Sequence, residues 1–148
     1  MPRGTYFSDF EVGQEFTSGG RTITEADVVM FAGLSGDFNP LHTDQSFAEK
    51  TPFGQRIAHG MLSASISTGL GQTLGIFEGT TLALISQEFT YKAPVFFGDT
   101  IRLRLTVQSM RASSKGGKGT IVFTSEILKQ DDTMVVTGTW TVLFRDRS

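Results

Sequence analysis

An acidic side chain and an imidazole lie five residues apart in the segment Gly36–His42 of this 148-residue chain. Asp37 and His42 are residue types that form general acid/base pairs, in which the acid orients the ring or both groups hold one water. On a continuous helix, residues at this spacing point roughly 140° apart and could not share a substrate. Pro40 excludes a helix interior here, so a turn through Phe38–Pro40 can bring the two side chains to one point.

The same two residues also fit a purely structural interpretation. In that interpretation Asp37 caps a turn, and His42 is a hydrogen-bonded histidine of the surface or the core. Pairs of an acid and a histidine are common in proteins and mark functional sites only probabilistically. The spacing alone therefore does not choose between catalysis and structure.

Helical patterns surround this pair on both sides. Thr24–Asp27 has the form of a capping box and predicts a helix that ends by Gly36. Asp44–Lys50 predicts one or two further turns. The uncharged segment Ile57–Leu74 predicts a long helix, and its many Ser, Thr and Gly residues suit close packing inside the protein rather than a membrane span.

Strand patterns account for most of the remaining chain, because apolar and polar residues alternate there. The predicted strands are Glu15–Thr22, Leu82–Lys92, Ile101–Val107, Thr120–Lys129 and Met134–Arg145. The glycine-rich segment Ser113–Gly119 predicts a hairpin loop, since it lacks the strand-to-helix setting of a phosphate loop. We therefore expect an α+β fold in which one domain, residues 1–148, packs the long helix against one face of an antiparallel sheet.

Composition excludes several classes of function. A net charge of −2 and a pI near 5.6 argue against a nucleic-acid-binding surface. The chain has no cysteine and two histidines, which argues against disulfides and against a zinc site. The first 13 residues lack the apolar core of a signal peptide, so a cytoplasmic location is expected.

Three motifs resemble the MaoC-like family of (R)-specific enoyl-CoA hydratases. Phe31–His42 (FAGLSGDFNPLH), with Ala48 six positions later, is similar to the hydratase signature of that family. Phe53–Met61 resembles the family's entry to its central helix, and Ala93–Asp99 resembles its mid-sheet turn. The resemblance covers nearly the whole chain. It implies a hot-dog fold, in which a curved antiparallel sheet wraps a long central helix, and assembly into a homodimer or a higher homo-oligomer.

The resemblance also implies a role for each matching residue. Asp37 and His42 would hold and activate the water that adds to a trans-2-enoyl thioester, and Asn39 would fix their loop. Gly60 would offer its backbone N–H to the thioester carbonyl, which suits a helix N-terminus because its first N–H groups are free. Thr68 would place a hydroxyl at the site. No cofactor and no metal are implied, and the acyl group would be carried on coenzyme A or acyl carrier protein.

Two other functions stay open at the level of sequence. A hot-dog thioesterase would direct the water to the thioester carbonyl, and a non-catalytic acyl-thioester-binding protein would have no need of a paired base. His59 is expected to be a loop or capping residue rather than a catalyst. Arg56 and the loop lysines Lys115 and Lys118 could meet coenzyme A phosphates, although scattered surface cations are usually only solvated.

Overall fold

One antiparallel sheet of six strands organises the computed structural model, which describes residues 3–147. Its strands are β1 (Glu15–Thr17), β2 (Arg21–Thr22), β3 (Thr81–Tyr91), β4 (Thr100–Ala112), β5 (Lys118–Lys129) and β6 (Met134–Arg145). The order across the sheet is β1-β4-β5-β6-β3, with β2 also beside β4. The four long strands confirm the prediction from alternation, and β4 extends beyond the predicted Ile101–Val107 at both ends.

The core lies on one face of this sheet because the strands alternate. Along β4 the residues Ile101, Leu103, Leu105 and Val107 are buried, and the residues between them are half-buried. Phe10, Phe77, Phe123 and Phe144 add a cluster of aromatic rings between the sheet and the N-terminal segment.

The central helix α4 spans Gly60–Gln72, so the prediction that it begins at Ile57 is wrong. Ile57 forms an isolated bridge with Phe96, and the N–H of Ala58 donates to the carbonyl of Val95 at 2.8 Å. These bonds hold residues 57–58 extended. The helix therefore begins only where the chain leaves this short pairing.

One face of α4 packs on the sheet and the other faces outward. Leu62, Ala64, Ile66 and Leu70 are buried, and Gly71 lies so close to β6 that an added Cβ would stand 3.0 Å from Cζ3 of Trp140. The outward residues are exposed: Met61, Ser65, Thr68, Gly69 and Gln72. Within residues 3–147, no helix is both long enough and apolar enough to span a membrane.

Three shorter helices precede α4. The helix α1 (Glu25–Ser35) begins with the predicted capping box of Thr24 and Asp27 and ends at Gly36 in the left-handed conformation, with φ 78°. The next helix, α2 (Pro40–Thr43), was predicted only as a turn, and it forms because proline is well suited to a first helical position. The helix α3 (Gln45–Ala48) fulfils the expectation of one further turn.

The predicted strand Glu15–Thr22 is wrong as a single element. It is divided into β1 and β2 at Ser18, whose backbone N–H donates to the carbonyl of Leu103 at 2.9 Å. The hydroxyl of Ser18 accepts the N–H of Leu103 at 2.9 Å, so a side chain replaces the next ladder bond. The regular pairing is interrupted at that point.

A mostly buried ion pair fixes the turn before β4. Nζ of Lys129 lies 2.9 Å from Oδ2 of Asp99, which also accepts the N–H of Phe96 at 2.8 Å. Burial raises the pKa of Asp99, but hydrogen bonds from Gln130, Lys129 and Phe96 and the charge of Lys129 outweigh it and leave the pKa lowered. The Ala93–Asp99 turn is thus held by one carboxylate.

Candidate active site

His42 lies on α2, and its ring orientation is set by the main chain. The side chain of Asn39 accepts the N–H of Leu41 at 3.0 Å and so caps this helix. Nδ1 of His42 lies 2.7 Å from the carbonyl oxygen of Ile57. A carbonyl oxygen only accepts, so Nδ1 carries the proton and Nε2 carries the lone pair. Within residues 3–147, Nε2 has no hydrogen-bond partner, yet it is not among the buried unpartnered atoms and so keeps contact with solvent. Such a nitrogen can act as a base.

Asp37 lies in the loop between α1 and α2. Its Oδ1 accepts the N–H of Asn39 at 3.1 Å, and its own N–H donates to the hydroxyl of Ser35 at 3.1 Å. The residue does cap a turn, as the structural interpretation of the sequence proposes. Because the side chain is exposed, its second oxygen is still free to bind a solvent molecule.

The predicted turn brings Asp37 and His42 together. One carboxylate oxygen of Asp37 and one ring nitrogen each of His42 and His59 lie within 4.8 Å of one another. In the described part of the chain, no hydrogen bond or ion pair joins the carboxylate to either ring. Two hydrogen bonds of about 2.8 Å meeting at one water oxygen span a gap of this size. The geometry therefore fits one bridging water.

His59 was expected to be a loop or capping residue rather than a catalyst, and the structure places it at the N-cap position of α4, close to Asp37 and His42. Nε2 of His59 lies 2.9 Å from the backbone carbonyl oxygen of Asp37, and its ring stacks on that of His42 with centroids 3.8 Å apart. His59 is the N-cap residue of α4, but its side chain accepts no backbone N–H of that helix. A histidine where serine, threonine, aspartate or asparagine is preferred was the signal in the sequence that could have indicated another role.

The three side chains do not form a suitable metal centre. Nδ1 of His42 and Nε2 of His59 are already bound to carbonyl oxygens, which leaves one lone pair on each ring. The rings of His42 and His59 are stacked, with their centroids 3.8 Å apart and their planes inclined by only 27°. A ring nitrogen binds zinc in the plane of its ring at ~2.1 Å, and these two planes do not meet so close to both rings.

Gly60 begins α4 beside this cluster. Among the described residues, no acceptor takes up the backbone N–H of Gly60 or Met61, since the first bonds of the helix are donated by Leu62 and Ser63 to the carbonyl of His59. An added Cβ at Gly60 would stand 2.7 Å from Cε1 of Tyr91. A larger residue would therefore have to displace the ring of Tyr91, and glycine leaves the backbone at this helix end accessible. A mostly apolar cavity of about 580 Å³ adjoins this helix end.

The remaining candidates lie elsewhere. Thr68 is on the exposed face of α4, two turns or about 12 Å along the axis from Gly60, and its hydroxyl donates to the carbonyl of Ser65 at 2.6 Å. The described chain does not bring it to Asp37 and His42. Arg56 is paired with Glu25 at 2.8 Å and lies over the ring of Phe97, so it links α1 to the Ala93–Asp99 turn.

The loop lysines are also away from the site. Lys115 and Lys118 lie in and after the β4–β5 hairpin loop, where Gly116 and Gly117 have φ of 71° and 73°. The segment is the turn that the sequence predicts.

The curved antiparallel sheet around the helix α4, with Asp37 and His42 close to the start of that helix, defines a hot-dog-fold protein. The sequence matches the MaoC like domain model over residues 9–127, and the chain belongs to that family. The (R)-specific enoyl-CoA hydratase of Rhodospirillum rubrum is 43% identical over 111 residues, which are 74% of this chain and 74% of that protein.

Two further comparisons agree with this family. The (R)-specific enoyl-CoA hydratase of Aeromonas caviae is 40% identical over 129 residues, which are 86% of this chain and 90% of that protein. The X-ray structure of a monoamine oxidase regulatory protein from Archaeoglobus has a TM-score of 0.91 at 33% identity and covers 98% of this chain and 97% of that one. The family assignment made from the three sequence motifs is confirmed.

Proposed function

We propose that the protein is an (R)-specific enoyl-CoA hydratase. It adds water reversibly across the double bond of a trans-2-enoyl thioester and forms the (R)-3-hydroxyacyl thioester. One observation carries this proposal: a water-sized gap separates the carboxylate of Asp37 from the ring of His42, near the free N–H of Gly60. The identity to two (R)-specific enoyl-CoA hydratases supports it.

The water is activated between two different acceptors. Nε2 of His42 takes one proton of the water because its lone pair is fixed by the bond from Nδ1 to the carbonyl of Ile57. The carboxylate of Asp37 accepts the other hydrogen and keeps a lone pair of the water oxygen directed at the β-carbon. The new C–O bond forms at that carbon as the proton passes to His42.

The electrons of the double bond move to the thioester carbonyl. The N–H of Gly60 and the positive end of α4 stabilise the enolate oxygen that results. The proton now on Nε2 of His42 is then delivered to the α-carbon, so the imidazole returns to its starting state and the atoms of one water are added in full. Elimination of water follows the same steps in reverse.

The decisive experiment is the ultraviolet absorbance of crotonyl-CoA with and without the protein. Loss of the conjugated enoyl band without release of free thiol is the expected result. Release of thiol would identify a thioesterase, and no change over a panel of chain lengths would identify a non-catalytic binding protein. A matched assay with crotonyl-acyl carrier protein decides the carrier. A cytoplasmic location stays a prediction, which cell fractionation tests.

We further propose that the protein is a homodimer joined at the edge of the sheet. Among the strands of residues 3–147, β3 pairs with β6 alone, so its outer edge presents unpaired backbone groups. Leu82, Leu84 and Ile85 on this strand are 43–57% exposed. An exposed apolar edge strand is a template for pairing with another chain. A second copy that adds its own β3 would continue the sheet and cover these side chains.

A further inference from the structure

The start of α4 differs from the starts of the other three α-helices in the described residues. Thr24, Asn39 and Asp44 each accept a backbone N–H of the helix they precede. His59 occupies the same position before α4 and makes no such bond, although it is only 2% exposed. Its side chain is turned toward the catalytic loop instead, so the helix end gives up a cap in favour of another contact.

That contact joins His59 to both members of the acid–imidazole pair. The carbonyl oxygen of Asp37 only accepts, so Nε2 of His59 is the donor across 2.9 Å. The ring of His59 lies against that of His42 on one side, and the ring of Phe31 packs edge-on with centroids 4.9 Å apart. His59 thus contacts both the loop of Asp37 and the ring of His42.

The arrangement leaves a polar atom without a partner. With the proton on Nε2, Nδ1 of His59 is a buried acceptor that receives no hydrogen bond. Burial of an unpaired polar atom destabilises the folded state, and a phenylalanine of nearly the same shape would avoid that cost. A residue retained only for packing has no use for this nitrogen. The donor on the other side of the ring is the feature that requires histidine.

We infer that His59 is a positioning residue, which holds the carbonyl of Asp37 through Nε2–H and supports the face of the His42 ring, so that the gap between the two water-binding groups keeps its width. This inference rests on the proposed hydratase function. Nε2 of His59 is bonded to the carbonyl of Asp37 and Nδ1 is shielded from solvent, so His59 is assigned a role that acts through its two neighbours. Small displacements of catalytic groups lower the rate without a matching loss of substrate binding.

The test compares two substitutions that separate the donor from the ring. His59→Phe keeps the stacked ring and removes the donor, whereas His59→Gln keeps an N–H donor near the position of Nε2 and removes the ring. For His59→Phe we expect kcat to fall by about 10–100-fold with KM changed less than about twofold. The melting temperature should change little, because removal of the unpaired nitrogen offsets the loss of the hydrogen bond to the carbonyl of Asp37. His59→Gln should recover at least about tenfold of the lost kcat. Ser67→Ala, a buried position on the same helix whose hydroxyl bonds to the carbonyl of Ala64, is the matched control.

A second measurement does not depend on activity. The chain has two histidines, so a long-range ¹H–¹⁵N spectrum contains two ring systems, which His59→Phe assigns. We expect the Nε2–H tautomer for His59 and the Nδ1–H tautomer for His42. In His59→Phe the backbone amide signals of residues 37–39 should shift.

Each outcome decides the inference. Wild-type kcat in His59→Phe, or an equal loss in His59→Phe and His59→Gln, overturns it, as does an Nδ1–H tautomer of His59. If the unaltered protein hydrates no enoyl thioester, the proposed function fails, and the tautomers together with the amide shifts of residues 37–39 still decide whether His59 positions the loop.

Discussion

Removal of either member of the acid–imidazole pair tests the shared-water mechanism directly. Asp37→Asn and His42→Ala should each lower kcat by on the order of 10²–10⁴-fold. At 1.36 kcal/mol for each tenfold change, this loss is roughly 3–5 kcal/mol of barrier. KM should change little, since neither side chain is expected to hold the carrier. The assay is the decay of the enoyl absorbance under steady-state conditions.

The structure sets different side effects for the two substitutions. In Asp37→Asn, Oδ1 can still accept the N–H of Asn39, so the turn keeps its bond and the melting temperature should not change. In His42→Ala, the carbonyl of Ile57 loses its donor, which costs about 1–3 kcal/mol of folding free energy. For a chain of this size each kcal/mol lowers the melting temperature by roughly 2–4 °C. Activity must therefore be measured well below that temperature.

The double variant carries the sharpest result. If both groups hold the same water, either loss alone destroys its orientation, and the double variant should be scarcely slower than the slower single variant. If the two losses multiply, the groups do separate work and the shared water is wrong. Asp44→Asn is the control, because Asp44 caps α3 two residues after His42 and asparagine caps equally well. Near-full activity of both single variants would place the active site elsewhere.

Three further predictions concern the helix, the turn and the sheet edge. Thr68→Val keeps the shape of the side chain and should leave kcat nearly unchanged, because the hydroxyl bonds to the carbonyl of Ser65 on the exposed face of α4. Asp99→Asn should lower the free energy of unfolding at pH 7 by up to about 3 kcal/mol, because Lys129 loses its partner. Because the pKa of Asp99 is lowered by folding, its contribution to stability is fully present above the unfolded-state pKa of about 3.9 and is lost as the pH falls through the folded-state pKa. The unaltered protein and Asp99→Asn should therefore converge in stability below pH ~4. Ile85→Lys should shift the protein from dimer to monomer in sedimentation velocity at micromolar concentration.

Each of these has a result that contradicts it. A loss of kcat of roughly 10²–10³-fold in Thr68→Val would instead show that the hydroxyl stabilises developing charge at the site. A stability difference for Asp99→Asn that stays constant down to pH 3 shows that the carboxylate charge contributes nothing. For the sheet edge, Val12→Lys is the control, since Val12 is 65% exposed and lies near the opposite edge. Equal sedimentation of the unaltered protein and Ile85→Lys refutes pairing through β3.

The long strands were predictable because alternation is a local property. Met134–Arg145 has the predicted bounds, and Thr120–Lys129 differs from β5 by two residues at its start. The first strand was not predictable in this way, since its break at Ser18 depends on a side-chain bond to Leu103, 85 residues later. Local pattern predicts an element, whereas a distant partner decides where it is interrupted.

The same distinction applies to the site. The meeting of Asp37 and His42 follows from Pro40, which lies between them in the sequence. The part played by His59 depends on the carbonyl of Asp37, 22 residues earlier in the chain, and on a ring stack that no spacing indicates. The true start of α4 was hidden for a related reason, because the pairing of Ile57 with Phe96 removes residues from the helix that their composition favours.

Residues 57–60 set the spacing between the groups of the site. In the proposed mechanism, the carbonyl of Ile57 orients the ring of His42, His59 holds the loop of Asp37, and the N–H of Gly60 binds the substrate carbonyl. The distance between the pair that activates water and the N–H that stabilises negative charge therefore depends on the number of residues in this segment. Substitution at Ile57 or Ala58 changes side chains that make none of these contacts. Insertion or deletion of a single residue here would displace all three groups together. The segment should accept changes in sequence far more readily than changes in length.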